Sequence, residues 1–132
     1  MANLLIVEDD PLLQRSLMRA LKKHVCVPAN NGLEALDKLE SRGFDLVVSD
    51  VDMPVMNGID FYLRAIEEYP EINFVFRTGS NIAGLWQLGV PVISKSWPIT
   101  RAVSEIEFRL GVDARDVSFH GPRQALSEVG GR

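Results

Sequence analysis

Seven side chains could do chemistry together: Glu8, Asp9, Asp10, Asp50, Asp52, Thr78 and Lys95. The first three form an acidic run directly after the apolar residues 4–7. Asp50 and Asp52 follow the apolar residues 46–48, Thr78 follows FVFR, and Lys95 ends VPVISK. Two carboxylates about 4 Å apart repel by roughly 4 kcal/mol at an effective dielectric near 20. Asp9 and Asp50 can therefore share a site only with compensation. A hard divalent cation supplies it, and oxygen donors that leave room for water favour Mg2+. Thr78 can donate a hydrogen bond to a phosphoryl oxygen, and Lys95 offers a compact positive charge opposite the metal. A carboxylate held between Mg2+ and an ammonium can act as a nucleophile toward phosphorus. Positioning and charge neutralisation are most of what phosphoryl transfer asks of a protein.

Such distant residues meet only if the elements between them bring them together. Residues 4–7 read as a buried strand. Asp10-Pro11 reads as a helix cap followed by proline at the first helical position. Leu13, Leu17, Ala20 and Leu21 recur at helical spacing and carry that helix to about residue 22. Residues 25–27 form a weaker strand, and Asn30-Asn31-Gly32 a turn. Leu33, Leu36 and Leu39 mark a second helix closed by Gly43. Residues 44–49 form the third strand, and residues 54–58 a loop. Ile59, Leu63 and Ile66 mark a third helix stopped by Pro70. Residues 72–76 and 90–93 read as the fourth and fifth strands. Between these two strands the chain is short and broken by Gly79 and Gly84, which disfavours a full helix. Pro98 opens a last helix whose stripe is Ile99, Ala102, Val103, Ile106 and Leu110. From residue 111 the periodicity fails, so residues 1–111 form one domain. Residues 112–132 form a tail that is flexible or ordered by a partner.

Strands alternating with helices imply an α/β parallel sheet covered on both faces. Near-continuous apolar strands agree with burial on both sides. In that architecture ligands sit at the carboxyl ends of the strands. The acids, the hydroxyl and the ammonium all fall at such ends.

Composition bounds the alternatives. The 132 residues suit one domain, with 46% hydrophobic and 24% charged residues. A net charge of −4 and scattered basic residues argue against nucleic-acid binding. The one cysteine, Cys26, allows no internal disulfide and reads as a small buried hydrophobe. No apolar run reaches membrane-spanning length, and the N-terminus lacks signal-peptide features, so a cytoplasmic location is expected. His24 and His120 lack metal-ligand spacing. Trp97 reads as a packing residue, and Trp86 as a partner contact or a cover for the core.

The order of these motifs resembles a response-regulator receiver domain of two-component signalling. LLIVEDDP resembles that family's first acidic motif. VVSDVDMPVMNGID resembles its phosphoacceptor motif, continued through Met53, Pro54, Met56 and Gly58. FRTG and ISK resemble its switch hydroxyl and its lysine. The likeness covers residues 3–110. FVFRTGS further resembles a single-domain subgroup with a Phe-x-Phe-x-Thr-Gly motif and a poorly formed fourth helix. The resemblance implies a flavodoxin-like, doubly wound five-stranded sheet in the order 2-1-3-4-5, its fourth helix truncated or replaced by a loop. It implies Asp50 as phosphoacceptor, fed by a phosphohistidine of a sensor histidine kinase or phosphotransfer protein. Glu8, Asp9, Asp50 and the backbone carbonyl of Asp52 would hold Mg2+. Thr78 and Lys95 would bind the phosphoryl group, with Met53, Asp52 and Ser96 beside the site. The output would be a contact with a protein that the sequence does not identify, and pairing of two copies stays open. No catalysis is expected beyond the chain's own phosphorylation and dephosphorylation.

Three departures from the family stand out. The span from Thr78 to Lys95 is short. Val92 occupies the place of an aromatic, so an aromatic rotamer switch cannot operate. Ser96 follows Lys95 where the family has a cis proline. A non-proline cis bond costs about 2.5–4 kcal/mol, so that loop is either trans and rearranged or strained. Asp52 adds a carboxylate beside the site and is expected to change the lifetime of an aspartyl phosphate. Two other functions compete. One is a pseudo-receiver that binds partners without phosphorylation. The other is a phosphatase, since Asp50-Val51-Asp52 resembles the Asp-x-Asp start of haloacid-dehalogenase-type enzymes. Pro54 and the upstream acidic pair fit that family poorly. Against all of these stand plain structural roles: a strand-end acid for Asp50, a turn hydroxyl for Thr78, a solvated amine for Lys95.

Overall fold

The computed structural model describes residues 1–79 and 83–111. The tail beyond residue 111, with His120, lies outside the described residues, as do residues 80–82 of the shortened span. The chain order is β1 (Asn3–Val7), α1 (Pro11–Ala20), β2 (Val25–Ala29), α2 (Gly32–Ser41), β3 (Leu46–Ser49), α3 (Gly58–Glu68), β4 (Phe74–Thr78), a 3-10 helix (Ala83–Leu88), β5 (Val92–Ser94) and α4 (Ile99–Arg109). All strand pairs are parallel, in the order β2-β1-β3-β4-β5. The doubly wound sheet inferred from alternating strands and helices is present. The 3-10 helix stands where a full fourth helix was not expected.

Strand alternation divides the core in two. Leu5, Val7, Val47, Phe74 and Phe76 face α2 and α3, where they meet Ala35, Leu39, Phe61 and Ala65. Phe74 lies 5.4 Å from Phe61, 4.9 Å from Tyr62 and 5.2 Å from Phe76, centroid to centroid. Leu4, Ile6, Leu46, Val48, Val75 and Ile93 face α1 and α4, where they meet Leu17, Leu21, Ala102 and Ile106. Trp97 packs against this second core, as a packing residue should, with the Arg101 guanidinium 3.8 Å from its ring centre.

Several boundaries differ from the sequence reading. The fourth strand runs two residues later than 72–76, which brings Thr78 into the ladder opposite Ser94. The third strand starts at Leu46, and the fifth is Val92–Ser94. Leu33, Leu63 and Ala20 are exposed. The buried stripes are Gly32, Ala35 and Leu39 on α2, and Gly58, Phe61 and Ala65 on α3. Small residues turned inward let these helices sit close to the sheet, which leaves the neighbouring leucines outside. Cys26 is half-buried, its Sγ 3.8 Å from the Leu21 carbonyl, and burial pushes its thiol up.

Candidate functional site

Register places the acids side by side. Val7 pairs with Ser49, so Glu8 and Asp50 occupy adjoining positions just past the ends of β1 and β3. Both are buried, at 4% and 5% exposure. The Asp50 amide donates to the Val7 carbonyl (2.9 Å), and the Glu8 amide to the Ala29 carbonyl (3.0 Å), so both backbones stay in the ladder. Asp50 Oδ1 accepts from the Val51 amide at 2.7 Å. Asp9 is exposed at the rim, yet Glu8, Asp9 and Asp50 each bring one carboxylate oxygen within 4.8 Å of the others. An all-oxygen, three-carboxylate donor set fits a hard divalent cation. Asp10 does not join them: its Oδ1 caps α1, accepting from the amides of Leu12 (2.9 Å) and Leu13 (3.4 Å).

Lys95 closes the pocket. Its Nζ donates to Asp50 Oδ2 at 2.7 Å and lies 3.0 Å from Glu8 Oε1. Burial works against its charge, but hydrogen bonds with Asp50 and Glu8 outweigh this and raise its pKa above the ordinary 10.5. Burial raises Glu8 above 4.5, against the hydrogen bond from Lys95 and that from the Asp10 amide. The Lys95 amide donates to the Thr78 carbonyl (2.9 Å), which ties the hydroxyl-bearing residue to the lysine turn. Thr78 itself is buried. No cis peptide bond occurs among the described residues, so Lys95-Ser96 is the trans, rearranged form. The turn is closed by the Trp97 amide on the Ser94 carbonyl (3.1 Å), the Ser96 amide on Ser94 Oγ (3.1 Å) and the Ser94–Ser96 hydroxyl pair (2.7 Å). Asp52 is exposed beside the site, and Met53 is half-buried against the α2/α3 core.

The backbone under Asp50 is held from below. Ser49 Oγ donates to the Asp50 carbonyl at 2.8 Å, and the Gly58 amide donates to the Val51 carbonyl at 2.8 Å. A Cβ added to Gly58 would lie 2.0 Å from the Asp50 carbonyl oxygen, so only glycine fits there.

Two residues near the site went unnoticed in the sequence. Gln14 is buried on α1, and its Nε2 donates to the carbonyls of Ala29 (2.9 Å), Glu8 (3.2 Å) and Ile6 (3.4 Å). Its spacing with Leu17 and Leu21 was the available signal. Arg77 is buried on β4, and its signal was alternation: it shares a face with Val75.

Residues 4–87 match the response regulator receiver domain family. The response regulator receiver protein CpdR of Brucella abortus is 34% identical over 115 residues, covering 81% of this chain and 95% of that protein. The sensor kinase CckA of the same organism is 37% identical over 82 residues, 59% of this chain but 9% of that protein. Among solved structures, a receiver domain from a hybrid histidine kinase CckA superimposes with a TM-score of 0.70 at 25% identity, covering 82% of this chain and 98% of that one. The response regulator TrrA of Thermotoga maritima, solved in complex with Mg2+-BeF, gives 0.76 at 23% identity, covering 83% of this chain and 99% of that one, a likeness of fold. With the family match spanning most of the sheet and CpdR aligned over nearly its whole length, the chain belongs to the response regulator receiver domains of two-component signalling.

Proposed function

We propose that the chain is a single-domain response regulator whose Asp50 accepts a phosphoryl group in a Mg2+-dependent reaction. An Asp50 carboxylate oxygen attacks phosphorus of a phosphohistidine, the P–N bond breaks, and the freed imidazole leaves on its own histidine. The donor is a sensor histidine kinase or a phosphotransfer protein. Mg2+, held by Glu8, Asp9, Asp50 and the Asp52 carbonyl, would offset the charge on the transferring group. Lys95 orients the Asp50 carboxylate and stays to pair with the added charge, and Thr78 binds a phosphoryl oxygen. The chain acts on no other substrate. Its product is an altered surface read by a protein partner in the cytoplasm of a bacterium, the CpdR relative being bacterial.

The observation that carries this reading is Lys95 Nζ at 2.7 Å from Asp50 Oδ2, in a pocket where one carboxylate oxygen each of Glu8, Asp9 and Asp50 lies within 4.8 Å of the others. Intact mass after incubation with acetyl phosphate and Mg2+ tests it. A single phosphoryl adduct is expected, absent in Asp50→Ala and with EDTA. An adduct that persists in Asp50→Ala would overturn the assignment. If acetyl phosphate and a phosphorylated kinase both leave the folded protein unmodified, partner binding without phosphorylation replaces it.

A further inference from the structure

The pocket holds a second cation with no part in the reaction above. Ser49 pairs with Phe76, so Arg77 follows beside Asp50 as Glu8 does on its other flank. Ile6, Val48 and Val75 all face the α1/α4 core, and two residues on, Glu8, Asp50 and Arg77 continue that face. The three residues line one small cavity of about 10 Å3 under α1, together with Gln14. Arg77 is 7% exposed, and its Nε has no hydrogen-bond partner. Burying a guanidinium with an unpaired N–H is costly. Burial lowers its pKa, and the charges of Glu8 and Asp50 oppose that shift. What favours the cation here is the field of the two carboxylates.

Resting on the phosphoacceptor reading, we propose that Arg77 is a positioning residue that sets the metal affinity of the pocket: a built-in cation, alongside Lys95, that neutralises part of the charge of Glu8 and Asp50 and competes electrostatically with Mg2+. Three carboxylates alone would attract a divalent ion strongly and repel one another strongly in its absence. With Lys95 and Arg77 beside them, the three carboxylates leave the site one net negative charge instead of three, so it can form before metal arrives. The same neutralisation weakens the pull on Mg2+.

Calorimetric Mg2+ titration of wild type, Arg77→Met, Arg77→Gln and Arg77→Lys tests this, with folding checked by circular dichroism. Arg77→Met and Arg77→Gln are expected to bind Mg2+ on the order of tenfold more tightly, because a fixed positive charge near the ion is gone. Arg77→Lys, which keeps the charge, should stay within about twofold of wild type. Tightening in Arg77→Lys equal to that in Arg77→Met would assign the effect to packing and overturn the proposal. Unchanged or weaker binding in the neutral variants would overturn it while leaving the phosphoacceptor reading intact. Absence of Mg2+ binding in wild type and variants alike would remove both. If Arg77→Met does not fold, the Gln variant decides.

Discussion

At the scale of single residues, the site is a set of charges that restrain one another. Glu8 is a carboxyl whose charge burial disfavours. Its folded pKa lies above the ordinary 4.5, so the folded protein holds that proton more tightly than the unfolded chain. Its contribution to stability is full below 4.5 and is lost as pH rises through the raised folded value. At neutral pH, then, an ionised Glu8 costs the metal-free protein stability. Glu8→Gln should raise the melting temperature of the metal-free protein at pH 7.5 and remove most of the stabilisation that Mg2+ gives wild type. Thermal melts with EDTA and with Mg2+ check both halves, and a lower metal-free melting temperature would contradict the first. The acids and Lys95 were legible in the sequence because each ends an apolar run. Arg77 was not, because a charged residue near the end of a run reads as exposed. Only the pairing of Ser49 with Phe76 shows it lying beside Asp50.

At the scale of elements, the segment joining β3 to α3 does the fixing. Asn57 caps α3, its Oδ1 accepting from the Asp60 amide at 2.8 Å, and Gly58 rests against the Asp50 carbonyl. Gly32, at the start of α2, donates its amide to the Met56 carbonyl (3.0 Å) and would clash with Phe61 and Met56 if it bore a Cβ. Between them Val55 has φ of +69°, a left-handed conformation that strains a β-branched residue. Gly58→Ala should destabilise the protein by about 3 kcal/mol, because the methyl group meets backbone that cannot yield. It should also slow phosphorylation of Asp50 in whatever fraction remains folded. Urea unfolding and the mass assay measure the two effects, and a neutral Gly58→Ala would refute the tight contact. Element order and type were legible from periodicity. Helix faces were less so, because Leu33 and Leu63 stand at helical spacing yet point outward while Ala35, Phe61 and Ala65 pack.

At the scale of the whole molecule, the sheet is tied to α4 by a contact far from the chemistry. His24 Nδ1 accepts from the Ala2 amide (3.1 Å), which leaves Nε2–H to donate to Glu107 on α4 (3.2 Å). Lys23 reaches the same carboxylate at 3.0 Å. Hydrogen bonds from Lys23 and then His24 hold Glu107 below 4.5. A depressed carboxyl contributes stability above its unfolded value and loses it as pH falls through the folded one. Wild type should therefore lose this contribution below about pH 4.5, whereas Glu107→Gln should show a flatter fall in melting temperature over that range. The difference should be about 1 kcal/mol or less, since the carboxylate is partly solvated. Equal pH profiles would remove the tie. The long-range partner His24–Glu107 was not readable from sequence, since nothing in the spacing of residues 24 and 107 marks it.

The two cores also differ in kind. One carries Phe61, Tyr62, Phe74 and Phe76; among the described residues the other has Trp97, at its edge, as its one aromatic ring. In a methyl-labelled NMR spectrum, ring currents from the aromatic cluster will spread the signals of Val47, Ala65 and their neighbours. Those of Leu4, Ile6 and Ile106 will spread less, since Trp97 is the one ring packed against their cluster. A change begun at Asp50 would thus write itself differently on each side of the sheet, and one spectrum would show which pair of helices carries it outward.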